Sequence, residues 1–417
     1  MLALRFAPAR ALVASCLLLA VWSPGSGVRA EPGPRGLWVL CEGSQRVLEH
    51  PGRVDELIAD ARALGVSDLF VQVYRGGRAW FRSSWADAAP HARVFRSGDR
   101  DALQELTARA HAAGLRVHAW VNVLSLATNA RAPIIERLGR RAVAVDQLGR
   151  SLLDYPDFEV PDPDRRYYRM GTPAVWLDPA APGVREHLTA TFTELVLRYP
   201  ELDGLHLDYI RYPDVLPFVP GTRFGVGLSF GFGEPSRARF LRETGRVAPF
   251  KERLENANRW DAWRREQVTE LVAAIAQATR AARPGLRVSA AVVADRERAY
   301  LVDFQHWLGW LDRGLLDFAV PMLYTTDDER LGYAVESLQG LGRRRELWVG
   351  LGSWLFATDP ARAIAQLRRV EEAEGLGSAL FSWDAIRENP GLLAALRIAP
   401  EPTASAPEAP SRELDPR

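Results

Sequence analysis

The sequence predicts a single (β/α)8 barrel with long βα loops. Three observations lead there: eight short apolar or alternating runs recur between residues 36 and 384, helical patterns separate them, and no Gly-rich phosphate loop follows any run. Alternation of this kind argues for a parallel sheet, and the missing phosphate loop disfavours the open doubly wound alternative.

The elements follow in order. A strand "GLWVLCE" (36–42) leads into the helix "VDELIADARALG", with Gly65 at its C-cap. The second strand "DLFVQVY" (68–74) leads into "DALQELTARAHAAG", where Asp101 is placed to cap the N-terminus and Gly114 the C-terminus. The third is "LRVHAWVN" (115–122), and "PGVREHLTATFTELVLRY" precedes the fourth, "GLHLDY" (204–209). A long helix, "ANRWDAWRREQVTELVAAIAQATRAA", precedes the fifth, "LRVSAAVV" (286–293). The sixth is "DFAVPMLY" (317–324), the seventh "LWVGLGSW" (347–354) and the eighth "GSALFSWD" (377–384), with Gly342 and Asp359 at helix ends between them. Two connections, residues 124–180 and 212–250, exceed the length of ordinary loops and read as functional lids.

The ends are of other kinds. Arg5 and Arg10, an apolar run from Ala11 to Trp22 and the small-residue pattern Val28-Arg29-Ala30 read as a signal peptide over residues 1–30, cut after Ala30. The run is too short for a bilayer span, which takes about 20 residues. A lipoprotein reading through Cys16 is disfavoured because the apolar run continues past it. The expected product is exported, periplasmic or extracellular, with a barrel domain over 31–399 and a disordered Pro/Ala/Glu-rich tail over 400–417. It keeps one cysteine, Cys41, so neither an internal disulfide nor a thiol-based metal site is expected.

Composition bounds the partners. With 47% hydrophobic and 25% charged residues the chain is globular, and a net charge of +1 with no basic patch speaks against nucleic acid. The seven histidines are scattered without a His-x-x-x-His pattern, so no metal or other cofactor is expected.

Candidate site residues come from side-chain phase. In "DGLHLDYIRYP" the leucines Leu205 and Leu207 alternate with His206 and Asp208; if the leucines face the helices, His206 and Asp208 face the barrel interior. Catalytic groups of such barrels lie at the C-terminal ends of the strands, which selects Asp208 as the acid in the cleft and puts His206 one layer below, where a hydrogen-bonded scaffold role competes with sugar contact. The same phase turns Gln72 and Tyr74, Trp120 and Asn122, and Ser289 with Asp295 inward, and it pairs Glu42 with Trp38. An acid just past a strand, such as Glu42, Asp295 or Asp384, can equally cap the next helix. Trp80, Trp85, Trp120, Trp176, Trp354 and Trp383 fall at strand ends or in loops, where indole faces beside carboxylates suit the C–H faces of sugars, whereas Trp260, Trp263, Trp307 and Trp310 sit on helices as packing. Arg75, Arg211, Tyr324 and Asp384 complete the candidate sugar contacts.

"RGLWVL", "DLFVQVYRGGRAWF", "GLRVHAWVN", "WLDPAAPGVREHL", "DGLHLDYIRYP", "LLDFAVPMLYT", "GLGSWL" and "GSALFSWD" resemble the successive strand motifs of glycosyl-hydrolase-like family 10. The resemblance implies a (β/α)8 barrel that hydrolyses a β-linked bacterial polysaccharide, with Asp208 matching the family's acid after the fourth strand. Two departures qualify it. Ile210 stands where a chitinase-like barrel carries its glutamate, and Leu323 stands where related members often carry asparagine. Glycoside hydrolysis ordinarily uses two carboxyl groups, so Asp208 needs a partner among Glu42, Asp295, Asp327 and Asp384, unless an N-acetyl group of the substrate serves as nucleophile. The alternative from another class is a catalytically silent, carbohydrate-binding barrel of the cell envelope.

Overall fold

Eight parallel strands close on themselves in the computed structural model, which describes residues 33–98, 101–217, 228–251, 253 and 255–397. They are β1 (Arg35–Val39), β2 (Asp68–Arg75), β3 (Arg116–Asn122), β4 (Gly204–Asp208), β5 (Arg287–Val293), β6 (Phe318–Met322), β7 (Trp348–Gly352) and β8 (Gly377–Phe381). β1 pairs in parallel with both β2 and β8, which closes the (β/α)8 barrel. One helix of the outer ring follows each strand: α1 (Val54–Ala63), α2 (Ala102–Ala112), α3 (Val184–Arg198), α4 (Ala257–Ala282), α5 (Trp307–Asp312), α6 (Asp328–Gln339), α7 (Pro360–Glu371) and α8 (Pro390–Leu396). Among the described residues no helix is long and apolar enough to cross a membrane. The signal peptide with Cys16, the tail over 400–417 and the stretch 218–227 of the second long loop lie outside the described residues.

Local signals account for the helix ends. Asp101 accepts from the backbone N–H of Leu103 (3.1 Å) and Gln104 (3.2 Å), and Asp359 accepts from Arg362 N–H. Such caps stabilise a helix by about 1 kcal/mol each. Gly65, Gly114 and Gly342 take φ of +64°, +78° and +70°, a region that only glycine enters without steric cost.

The barrel interior is aromatic. Phe70 stacks on His206 with centroids 4.3 Å apart, and Phe318 stacks on Trp348 at 4.3 Å. Trp38 and Trp120 complete a buried interior cluster with Ala291, Val320 and Ala379. Room for these rings comes from glycines on the neighbouring strands. A Cβ at Gly204 would lie 2.1 Å from the His118 ring, so β4 must begin with glycine for His118 to fit.

The first long connection is an ordered wall. Asp178 of "WLDP" accepts from Ala180 N–H (3.0 Å), Ser236 hydroxyl (2.7 Å) and Tyr212 hydroxyl (3.2 Å), tying the loop after β3 to the loop after β4.

Candidate active site

Asp208 ends β4, only 6% exposed, with its carboxyl in the top layer of the interior. Trp120 Nε1–H donates to its Oδ2 (3.0 Å) and Tyr209 N–H to its Oδ1 (2.6 Å). Burial raises its pKa above the usual carboxylate value, against the opposing pull of the Arg211 charge and of these two donors. Tyr209 holds a left-handed backbone at φ +50°, a conformation costly for a non-glycine residue and often seen where a site imposes it. Its ring packs against Trp176 at 5.5 Å, and the buried Arg211 guanidinium lies 5.0 Å from the Tyr209 ring and 5.6 Å from the Trp176 ring.

A row of rings adjoins Asp208. Trp120 meets Phe381 edge-on at 6.1 Å, Phe381 lies 5.8 Å from Tyr324 and 5.5 Å from Trp354, and Tyr324 meets Trp354 edge-to-face at 4.8 Å. Trp354, 41% exposed, brings the row of rings to the surface. Gln72 and Asn122 join each other at 3.1 Å in the same top layer, and Gln72 Oε1 also accepts from the Cys41 thiol at 3.2 Å.

Several predicted contacts sit elsewhere. His206 is wholly buried below Asp208. The Trp38 indole can only donate, so His206 Nε2 accepts from it (3.2 Å), and Nδ1 carries the proton toward the Ser289 hydroxyl (2.8 Å). Burial holds this imidazole well below its ordinary pKa, hence neutral, and His206 is scaffold rather than a sugar contact. Tyr74 turns outward onto Phe192 of α3, because the β2–β3 register shifts between Gln72 and Tyr74 and reverses its face. Trp80 is buried and bonds Glu49 at 3.1 Å. Trp383 is buried against α1, donating to Asp60 at 3.1 Å: β8 stops at Phe381 and a helix begins at Trp383, so Phe381 is the ring left beside Trp120. Arg211 is buried rather than open to solvent, its Nε 3.6 Å from Asp303.

The candidate partner acids are bound to the protein itself. Glu42 is clamped by Arg75 at 2.6 Å and Arg78 at 2.7 Å. Asp295 caps the helix Arg296–Leu301 by accepting from Arg298 N–H, and Asp327 caps α6 through Arg330 N–H. Asp384 accepts from Gln45 N–H at 2.9 Å and Leu40 N–H at 3.4 Å, and so fastens the loop after β1. One group escaped the sequence reading. Asp303, fully buried, lies 3.6 Å from both Arg211 Nε and Arg298 Nε, and burial pushes its carboxyl up to about 7. It sits between two short helices where no strand phase points to it.

The family described as Glycosyl hydrolase-like 10 matches residues 34–345. Glycosyl hydrolase DigH of Escherichia coli strain K12 is 25% identical over 278 residues, a match covering 63% of this chain and 55% of that protein, so the chain matches about half the length of this relative. Among solved structures, the PgaB (BpsB) glycoside hydrolase domain from Bordetella bronchiseptica superposes with a TM-score of 0.61 at 14% identity, covering 88% of this chain and 98% of that one. A beta-galactosidase from Bacillus circulans sp. alkalophilus gives 0.53 at 11% identity, covering 84% and 50%. These structural likenesses bear on the fold.

Proposed function

Since this chain belongs to the glycosyl hydrolase-like 10 family, whose members and structural neighbours support a glycosidase-type function, we propose that it is an exported hydrolase of an N-acetylated bacterial envelope polysaccharide, with Asp208 as its acid. The observation that carries this reading is a buried carboxyl of raised pKa at the C-terminal end of β4, at the inner end of a row of rings that reaches the surface at Trp354.

In this reading a sugar ring lies on Trp354 and the Asp208 carboxyl donates its proton to the glycosidic oxygen as the C1–O bond breaks. The carboxylate left behind gains most from Trp120 N–H, Tyr209 N–H and the Arg211 charge, so these groups stabilise the charge that develops in the transition state more than they stabilise the resting acid. With Glu42, Asp295, Asp327 and Asp384 all committed to protein partners, the N-acetyl carbonyl oxygen of the substrate serves as nucleophile at C1, and Asp208 then takes a proton from the water that opens the cyclic intermediate. Reducing-end release from purified glycan strands, with and without peptide stems, tests the proposal. The commitment of those four acids also favours the second reading, a binding barrel without activity, and strand binding with no released ends would select it.

Trp354→Ala should raise KM about tenfold with kcat little changed, in keeping with about 1.4 kcal/mol per factor of ten; an unchanged KM removes the indole from the substrate path. Export predicts that protein recovered from the periplasm or medium begins at Glu31, as N-terminal sequencing would read.

A further inference from the structure

A cavity of about 950 Å³ opens between the loops that follow β5 and β6, and its lining includes Asp295, Arg298, Tyr300, Tyr324, Arg330 and Tyr333. Val293 and Met322, the last residues of those two strands, also line it, so it lies on the face of the barrel that carries Asp208. Its size is that of a ligand site rather than of a packing defect.

Tyr324 belongs to both places. Its ring meets Trp354 edge-to-face in the row beside Asp208, and the same residue lines the cavity. The burial of its phenol and the nearby Asp208 charge both raise the Tyr324 pKa. Beyond Tyr324 the cavity carries two open rings, Tyr300 at 40% and Tyr333 at 76% exposure. The Arg265 guanidinium, 3.7 Å from the Tyr300 ring centroid, and the His306 ring, edge-to-face at 5.1 Å, hold the partly exposed Tyr300 ring in place. In its wall Asp295 caps its helix, Arg298 pairs with Asp214, and Glu297 adds an exposed carboxylate able to accept from sugar hydroxyls. Open aromatic rings beside fixed polar groups suit a site that holds a sugar.

We infer that this cavity is a distal subsite for a further sugar ring of a long glycan chain whose scissile bond lies at Asp208. The inference rests on the glycosidase reading, and it adds that the enzyme grips internal stretches of a polymer rather than short ends. Tyr324 is the shared edge along which the chain passes from one place to the other.

The test uses the full chain carrying Asp208→Asn, which keeps substrate intact, titrated by calorimetry with peptide-free glycan tetrasaccharide and octasaccharide. The octasaccharide should bind about tenfold tighter, a difference of about 1.4 kcal/mol. Adding Tyr300→Ala and Tyr333→Ala, at two exposed positions, should abolish that advantage and leave tetrasaccharide affinity unchanged. Equal affinity for the two lengths before those changes, or a length advantage that survives them, overturns the inference. So does an advantage that appears only when strands carry peptide stems, which would assign the cavity to peptide. If the length advantage behaves as expected while wild-type protein releases no reducing ends, the subsite stands and the hydrolase reading falls.

Discussion

Asp208→Asn is expected to lower kcat for reducing-end release from glycan strands by about 10²- to 10⁴-fold, the usual worth of a positioned acid–base group. A loss below about tenfold removes Asp208 from the chemistry. The pH profile gives an independent reading. As an acid, Asp208 works protonated, and burial has raised its pKa, so activity should hold on the acid side and fall as pH rises through that raised value. The Asn variant should lose this limb along with the rate. Stability should move the other way. A carboxyl whose folded pKa lies above its unfolded value favours the fold most at low pH and loses that contribution as pH rises through the folded value. Above that folded value the native protein bears the cost of a buried charge at Asp208, and there the Asn variant should have an equal or higher urea midpoint. A variant both inactive and markedly less stable would point to scaffold instead.

The barrel was legible because its signals are local. Each strand run is apolar or alternating over a few residues, Asp101 and Gly114 punctuate a helix by their own chemistry, and the β4 phase puts His206 and Asp208 inside without tertiary information. Site residues were less legible where one backbone event outweighs alternation. The register shift in β2 turns Tyr74 to the helices, and the early end of β8 sends Trp383 under α1 and leaves Phe381 in the row of rings. Tyr209 gives no sign in its residue type of a left-handed backbone, which the packing around Asp208 imposes. Asp303 lies outside any strand, and its importance comes from Arg211 and Arg298 arriving from separate segments. Aromatic count likewise misleads. Most loop tryptophans pack inward, as their area favours, and Trp354 is the one with a wide exposed face.

A second acid, at the opposite end of the barrel, should give the largest stability effect. Asp68 begins β2, fully buried, and accepts from Arg116 Nε (2.8 Å) and Nη2 (2.6 Å), from Ser67 hydroxyl (2.6 Å) and from His118 Nε2 (2.9 Å). Burial alone would raise its pKa, but the bonds from His118 and Arg116 outweigh it and hold the carboxyl well below the usual range. Asp68→Ala removes the acceptor and leaves the buried His118 unpaired, while the half-exposed Arg116 can turn to water, a change expected to cost about 1 to 3 kcal/mol. Urea unfolding at neutral pH would show it. Because the folded pKa is depressed, the contribution of Asp68 is present above the unfolded carboxyl value and lost as pH falls toward the folded one. The gap between wild type and variant should therefore narrow below about pH 4. A gap independent of pH would mean that packing rather than charge is lost. Asp68 lies at the strand starts, away from Asp208, so whatever fraction of the variant remains folded should keep its kcat. Two buried acids at opposite ends of one barrel thus separate by environment: the one given strong donors secures the barrel, and the one burial outweighs is set to give its proton to a substrate.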